Sequence, residues 1–440
     1  MNLFKGLILG TICIGCAACA PDKMYRNNFT ACNAQISQEC ETNSIVQYFP
    51  AASNEFRLSY IEFDDQGQLR DRDQMRTLID NYTTIATHDD VLLTVFVHGW
   101  HHSAAPGDRN IESFKTLLAK VSENEKAMSK KLNRSARKVL GVYIGWRGDS
   151  ISIPYINTTT FWDRKSVAQE VGLQGVTEVL VRLEQIVNVK IAQESIPRLQ
   201  NSRMVTIGHS FGGAVLFTAL QQVLADRFFD SNRDKNYDSD AKGFGDLVLL
   251  INPAFESLRY STLYDIAQEG CRRYFDSQMP VLAILTSQKD KATRIAFPLG
   301  RIFSTTLETH RPLTRHECTA KGKTPTRISE YKADKTAVGH FEPYQTHLMK
   351  PRKQPSTLDA VEKFSLLQKQ WSALDYGGAL DFGQVSLQHL GKTTPHNPYM
   401  NIYVDKKIMP DHNNIWRNEL MSFIEEMVMV TTTQGQFPVH

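Results

Sequence analysis

A serine set between glycines is the first group in this chain with the makings of covalent chemistry. Gly208-His209-Ser210-Phe211-Gly212 follows a short apolar run, residues 204–207, and precedes apolar residues at helical spacing: Ala214, Val215, Phe217, Leu220, Val223 and Leu224. That pattern predicts a strand, a sharp turn and a helix, with Ser210 at the apex in a strained backbone conformation. Glycines two before and two after it let strand and helix approach with no Cβ in the way. A serine hydroxyl is a poor nucleophile until a neutral imidazole takes its proton, and a buried carboxylate must hold that imidazole in one tautomer. The chain must therefore bring a histidine and an acid to Ser210 from elsewhere.

The elements able to position such groups recur along the sequence. Residues 56–63 mix apolar and polar positions in the manner of an outer strand, Asp64-Asp65-Gln66-Gly67 supplies a turn, and residues 72–83 a helix. Residues 91–97, 139–144, 246–252 and 280–286 are strongly apolar runs, the mark of strands buried on both faces. Helical patterns lie between them, among them Ile111, Phe114, Leu117, Leu118 and Val121. Another is Val176, Val179, Leu180, Leu183 and Val187, behind the capping-box pattern Ser166-Val167-Ala168-Gln169. Residues 401–404 read as a final strand, Pro410-Asp411-His412-Asn413 as the loop after it and residues 415–427 as a closing helix.

Strands alternating with helices predict an α/β fold with a mostly parallel central sheet covered by helices on both faces. Sites in such sheets gather at the carboxyl ends of the strands. His98, Trp146, Ser210, Glu256 and Asp290 all fall just past such ends. His98-Gly99-Trp100-His101-His102 places three histidines together, but no carboxylate accompanies them and the spacing is not that of a metalloprotease, so no metal site is expected. His98 reads instead as a residue packed beneath the site.

Together these features resemble the α/β-hydrolase superfamily, over residues 56 to about 430. The longer phrases Val97-His98-Gly99-Trp100-His101-His102, Asn252-Pro253-Ala254-Phe255-Glu256 and Asp290-Lys291-Ala292-Thr293 are similar to a group of exported bacterial hydrolases. The resemblance implies the chain order serine, acid, histidine. Ser210 would be the nucleophile, Asp290 the acid with Glu256 as the alternative, and His412 the base with His340 as the alternative. The backbone amides of Trp100 and Phe211 would hold the oxyanion. The implied activity is hydrolysis of carboxylic esters, as in esterases and lipases, through an acyl-enzyme and with no cofactor. Amide or thioester cleavage, acyl transfer, and a catalytically silent binding protein are the other outcomes this superfamily allows. Trp100, Trp146 and Phe211 suggest an apolar pocket, although aromatic residues at such positions more often serve packing than recognition. Residues 291–400, polar, proline-punctuated and with one helical patch at 358–374, are expected to form a cap that selects the substrate.

The N-terminus is a separate object. Lys5 and the apolar run of residues 6–18, too short to span a bilayer comfortably, predict an export signal over residues 1–19. Gly15-Cys16-Ala17-Ala18-Cys19-Ala20-Pro21 resembles the cleavage box of bacterial lipoproteins, with Cys19 as the lipidated residue and Cys16 or ordinary cleavage as alternatives. The expectation is an exported protein held at a membrane of a bacterial cell envelope by an N-terminal lipid, acting on an ester or lipid substrate. Residues 20–55 would form a polar tether and small appendage. Past the leader, Cys32, Cys40, Cys271 and Cys318 make an even set, which fits two disulfides in an oxidising compartment. Local pairing, Cys32 with Cys40 and Cys271 with Cys318, is preferred among the three connectivities. A net charge of +3 over 440 residues is too nearly balanced to suggest a nucleic-acid partner.

Overall fold

The computed structural model describes residues 23–33, 40, 42–48, 54–148, 157–190, 201–231, 238–304 and 308–433. The leader with Cys16 and Cys19 lies outside these. The strands of the central sheet are β1 (Cys32–Asn33), β2 (Ile45–Tyr48), β3 (Phe56–Glu62), β4 (Val91–Val97), β5 (Lys138–Gly145) and β6 (Arg203–His209). They continue with β7 (Leu247–Ile251), β8 (Leu282–Ser287), β9 (His347–Pro351), β10 (Ala379–Asp381), β11 (Val385–His389) and β12 (Tyr399–Val404). Their spatial order is β1-β2-β3-β5-β4-β6-β7-β8-β12-β9-β11-β10. From β3 through to β9 every neighbouring pair is parallel, whereas β2 on one side and β11 and β10 on the other are joined by antiparallel pairings.

The apolar runs form central strands because both of their faces are buried. In β4, Val91, Leu93, Val95 and Val97 enter one core while Leu92 and Phe96 enter the other, the period of two that a pleated strand imposes. The first core is closed by α1 (Arg72–His88), α3 (Asn157–Leu173), α4 (Gly175–Val187) and α5 (Phe211–Phe229), through residues such as Leu78, Val171, Leu183 and Leu220. The second is closed by α2 (Arg109–Lys131), α7 (Ala360–Ser372) and α8 (Asn418–Thr433), through Phe114, Leu367 and Ile424. Each fully buried Leu, Ile, Val or Phe is worth about 1.5–3 kcal/mol relative to exposure, so the two cores supply most of the force that holds the loops of the sheet edge in register. The remaining helix of note, α6 (Ser257–Gln268), follows β7. The protein thus has the α/β architecture expected, a mostly parallel central sheet with helices on both faces.

Three expectations change. Residues 56–62 form an interior strand, not an outer one, because β2 and β1 lie beyond it. Its polar positions are satisfied by tertiary partners: Ser59 Oγ donates to Tyr82 Oη at 2.8 Å, and Glu62 accepts the backbone N–H groups of Tyr25 and Arg26 at 3.0 and 2.7 Å. The segment before it is more than a tether, since β1 and β2 join the sheet and Arg26, buried, lays its guanidinium over the Tyr60 ring at 3.9 Å. Residues 291–400 do not form a single inserted body either. They hold a two-stranded hairpin, Pro312–Thr319 with Gly322–Ser329, but also β9, β10 and β11, which extend the central sheet, and α7, which packs on it. Their short strands carry mixed polar residues, so composition alone concealed them. The cysteines pair locally, Cys32 with Cys40 and Cys271 with Cys318. Among the described residues no helix is long and apolar enough to cross a membrane.

Candidate active site

Ser210 lies between β6 and α5 with φ 55° and ψ −118°. A non-glycine residue at positive φ costs on the order of 1–3 kcal/mol and persists only where its surroundings enforce it. Here the Ser210 N–H donates to the Ile251 carbonyl at 2.9 Å, and its own carbonyl accepts from Ala214 and Ala254, each at 3.2 Å. The glycines are required by space. A Cβ on Gly208 would sit 2.7 Å from the Gly212 carbonyl oxygen, and one on Gly212 would run into the carbonyls of Val97 and His98 at the end of β4. The loop after β4 thereby passes against Ser210: a Cβ on Gly99 would meet the Ser210 Cβ at 2.9 Å.

The structure brings three of the expected residues into one hydrogen-bonded line. His412, in the loop between β12 and α8, has Nε2 at 2.6 Å from Ser210 Oγ and Nδ1 at 2.8 Å from Asp290 Oδ2. Asp290 follows β8 and is fully buried. Burial alone would raise its pKa, but the His412 ring and two hydrogen bonds from Thr293 outweigh it and hold the carboxyl down at about 2. The Thr293 N–H donates to Oδ1 at 3.1 Å, and its hydroxyl donates to Oδ2. Asp290 is therefore an anion at neutral pH, and an anion accepting from Nδ1–H leaves Nε2 free to accept from serine.

The alternatives are placed elsewhere. His340 meets Thr293 Oγ1 at 3.0 Å through Nε2, so it supports the acid's side of the line and does not face Ser210. Burial lowers its pKa to about 4, which keeps it neutral. Glu256 is committed to a buried ion pair with Lys165 and to Arg301 at 3.3 Å, away from His412. The histidines after β4 do not converge. His98 is buried, stacks on Trp146 with ring centroids 5.5 Å apart and accepts the Trp146 N–H at 3.0 Å, while His102 meets Asp108 at 3.0 Å.

Two positioning residues escaped the sequence reading. His209 Nε2 and Asn252 Nδ2 both donate to the backbone carbonyl of His412, each at 2.9 Å, and Asn252 Oδ1 accepts the Ser287 N–H at 2.9 Å. The ends of β6, β7 and β8 are thus tied to the histidine loop. Asn252 stands at φ 46°, a conformation asparagine tolerates better than most residues, and its place just before Pro253 at a strand end was the available signal.

Trp100 sits on the loop beside Ser210 and Phe211 opens α5, in the first turn where helical N–H groups have no intrahelical acceptor. Of the three aromatic residues near the site, two serve packing and do not line a pocket. Phe211 and Trp146 are buried in the core. The cleft over His412, about 940 Å³, has Trp100 and Trp416 as its aromatic surfaces and is otherwise lined mainly by polar and charged groups.

No protein-family model matches this sequence, and no curated protein matches it. Among solved structures, one from Pectobacterium atrosepticum, provisionally described as a YdeN-like hydrolase, is similar over 48% of this chain and 71% of its own, at 14% identity and a TM-score of 0.14.

Proposed function

We propose that this protein is a serine hydrolase that cleaves carboxylic esters through an acyl-enzyme. The observation that carries the reading is the continuous line from Ser210 Oγ to His412 Nε2, 2.6 Å, and from His412 Nδ1 to Asp290, 2.8 Å, on a strained strand-to-helix turn. In this reading His412 takes the Ser210 proton as Oγ attacks the ester carbonyl. The imidazolium formed is stabilised by the Asp290 anion, and the proton is returned to the departing alkoxide. A water then repeats the sequence on the acyl-enzyme, with His412 again the base. The amides of Trp100 and Phe211 receive the negative oxygen of each tetrahedral intermediate. His209 and Asn252 hold the His412 carbonyl so that the ring does not swing away.

The experiment is labelling with a fluorophosphonate probe, on wild type and on Ser210→Ala, beside an aryl ester series. Wild type is expected to label and to turn over esters. Ser210→Ala is expected to lose labelling altogether and kcat by about a millionfold. Absence of labelling in folded wild type, or turnover that survives Ser210→Ala, rejects the assignment.

We also propose export and lipid anchoring at Cys19, supported by the leader's pattern and by the two disulfide pairs, which suit an oxidising compartment. Metabolic labelling with an alkyne fatty acid in the native host is expected to mark wild type and not Cys19→Ala; equal marking of both rejects Cys19.

A further inference from the structure

The cleft above His412 is not electrically neutral, and its charges are unlike those of the protein as a whole. Arg109, Lys289, Lys291 and Arg417 line it, all four exposed, against one carboxylate among the described residues, that of Asp411. The Asp411 carboxylate is turned into its own loop, where it accepts the backbone N–H groups of Asn413 and Asn414, each at 2.9 Å, and the Asn414 side chain. Two further acids stand nearby and both are engaged. Asp108 caps α2 and pairs with His102, and Glu419 reaches Arg417 at 3.5 Å. Among the described residues no carboxylate lies within ion-pair distance of Arg109, Lys289 or Lys291. They come from separate elements, Arg109 from the start of α2 and the two lysines from either side of Asp290, so their shared orientation is not a by-product of one helix face.

A concave site lined with uncompensated like charges concentrates ligands of the opposite sign. Resting on the serine-hydrolase reading, we infer that the substrate is a small ester carrying an anionic group, a carboxylate or a phosphate, which the Arg109, Lys289 and Lys291 side chains receive while the ester carbonyl faces Ser210. Trp100 and Trp416 leave room for an apolar part of the ester beside the charged groups.

The test compares matched esters that differ in one anionic group. On the acyl side the pair is monoethyl glutarate and ethyl methyl glutarate; on the alcohol side it is 2-acetoxyethyl phosphate and 2-acetoxyethanol. Binding to Ser210→Ala by calorimetry reads the cleft without turnover, and kcat/KM of wild type reads it with turnover. The anionic member of at least one pair is expected to be favoured by about tenfold at low ionic strength, a preference that shrinks severalfold by about 0.5 M salt as screening shortens the reach of the charges. The pair that shows it tells which side of the ester carries the anion. Arg109→Glu combined with Lys291→Glu is expected to abolish or invert the ratio, and because each ratio is taken on one protein sample, loss of folded material does not mimic it. Equal handling of charged and neutral members by Ser210→Ala and wild type, or a ratio indifferent to the double variant, overturns the inference. Charge-selective binding without any ester turnover would instead reject the serine-hydrolase reading and leave the anion site standing.

Discussion

Glu256 and Asp290 are two carboxylates in nearly equivalent places. Each follows the end of a central parallel strand, β7 for Glu256 and β8 for Asp290, and each is buried. In both, burial would raise the pKa and neighbouring groups reverse it. The neighbours differ. Glu256 is held by the cations Lys165 and Arg301, whereas Asp290 is held by a histidine ring and by the hydroxyl and amide of Thr293. A carboxylate spent on fixed cations has no freedom to stabilise a charge that appears and disappears. One facing a neutral imidazole gains its strongest partner only when that imidazole takes a proton, which is the moment a serine nucleophile needs it.

Exchanging the charge at each position separates the two roles. Asp290→Asn keeps the shape but presents an amide to His412 Nδ1, which favours the wrong tautomer. Its kcat on an aryl ester is expected to fall by about ten-thousandfold, together with loss of the stability that its ionised form contributes at neutral pH. Glu256→Gln is expected to leave kcat within about threefold while lowering stability by about 3 kcal/mol in urea unfolding. Burial already pulls the Lys165 pKa below the ordinary lysine value, and loss of the Glu256 charge lowers it further. A large fall in kcat for Glu256→Gln, or a small one for Asp290→Asn, would erase the distinction.

That distinction was only half visible in the sequence. Periodicity located the parallel strands because both of their faces are apolar, and the glycine spacing around Ser210 follows from steric needs that any such turn has. Asp290 and Glu256 were both legible as strand-end acids, but which of them meets a histidine depends on where Lys165 and Arg301 arrive, from segments far away in the chain. The polar positions of β3 misled for the same reason: Tyr82 and the backbone of Tyr25 and Arg26, which satisfy Ser59 and Glu62, are tertiary partners. Whether Trp146 and Phe211 line a pocket or pack in the core was not legible, because a strand end says nothing of which way a ring turns. His209 was in plain view beside Ser210, yet its bond to the His412 carbonyl spans 203 residues.

The smallest effect sharpens the comparison most, because it concerns what keeps Asp290 an anion without a fixed cation. After the His412 ring, which contributes most, Thr293 is the group responsible, and His340 stands behind it, donating Nε2–H to the hydroxyl that itself donates to Asp290. Thr293→Val removes that hydroxyl while preserving side-chain shape, and hydrogen bonds to charged groups contribute about 1.5–3 kcal/mol, so kcat is expected to fall by about ten- to a hundredfold. His340→Phe, one bond further out, is expected to cost less than about fivefold. It would cost far more if His340 were the base. The acid limb of stability gives an independent readout. With the folded pKa of Asp290 depressed to about 2 from an ordinary 3.8, its contribution is present above that ordinary value and is lost as pH falls towards 2. Thr293→Val raises the folded pKa, so the stabilisation at neutral pH shrinks and the loss on acidification ends at a higher pH. An acid limb unchanged by Thr293→Val would mean that His412 alone holds Asp290 ionised.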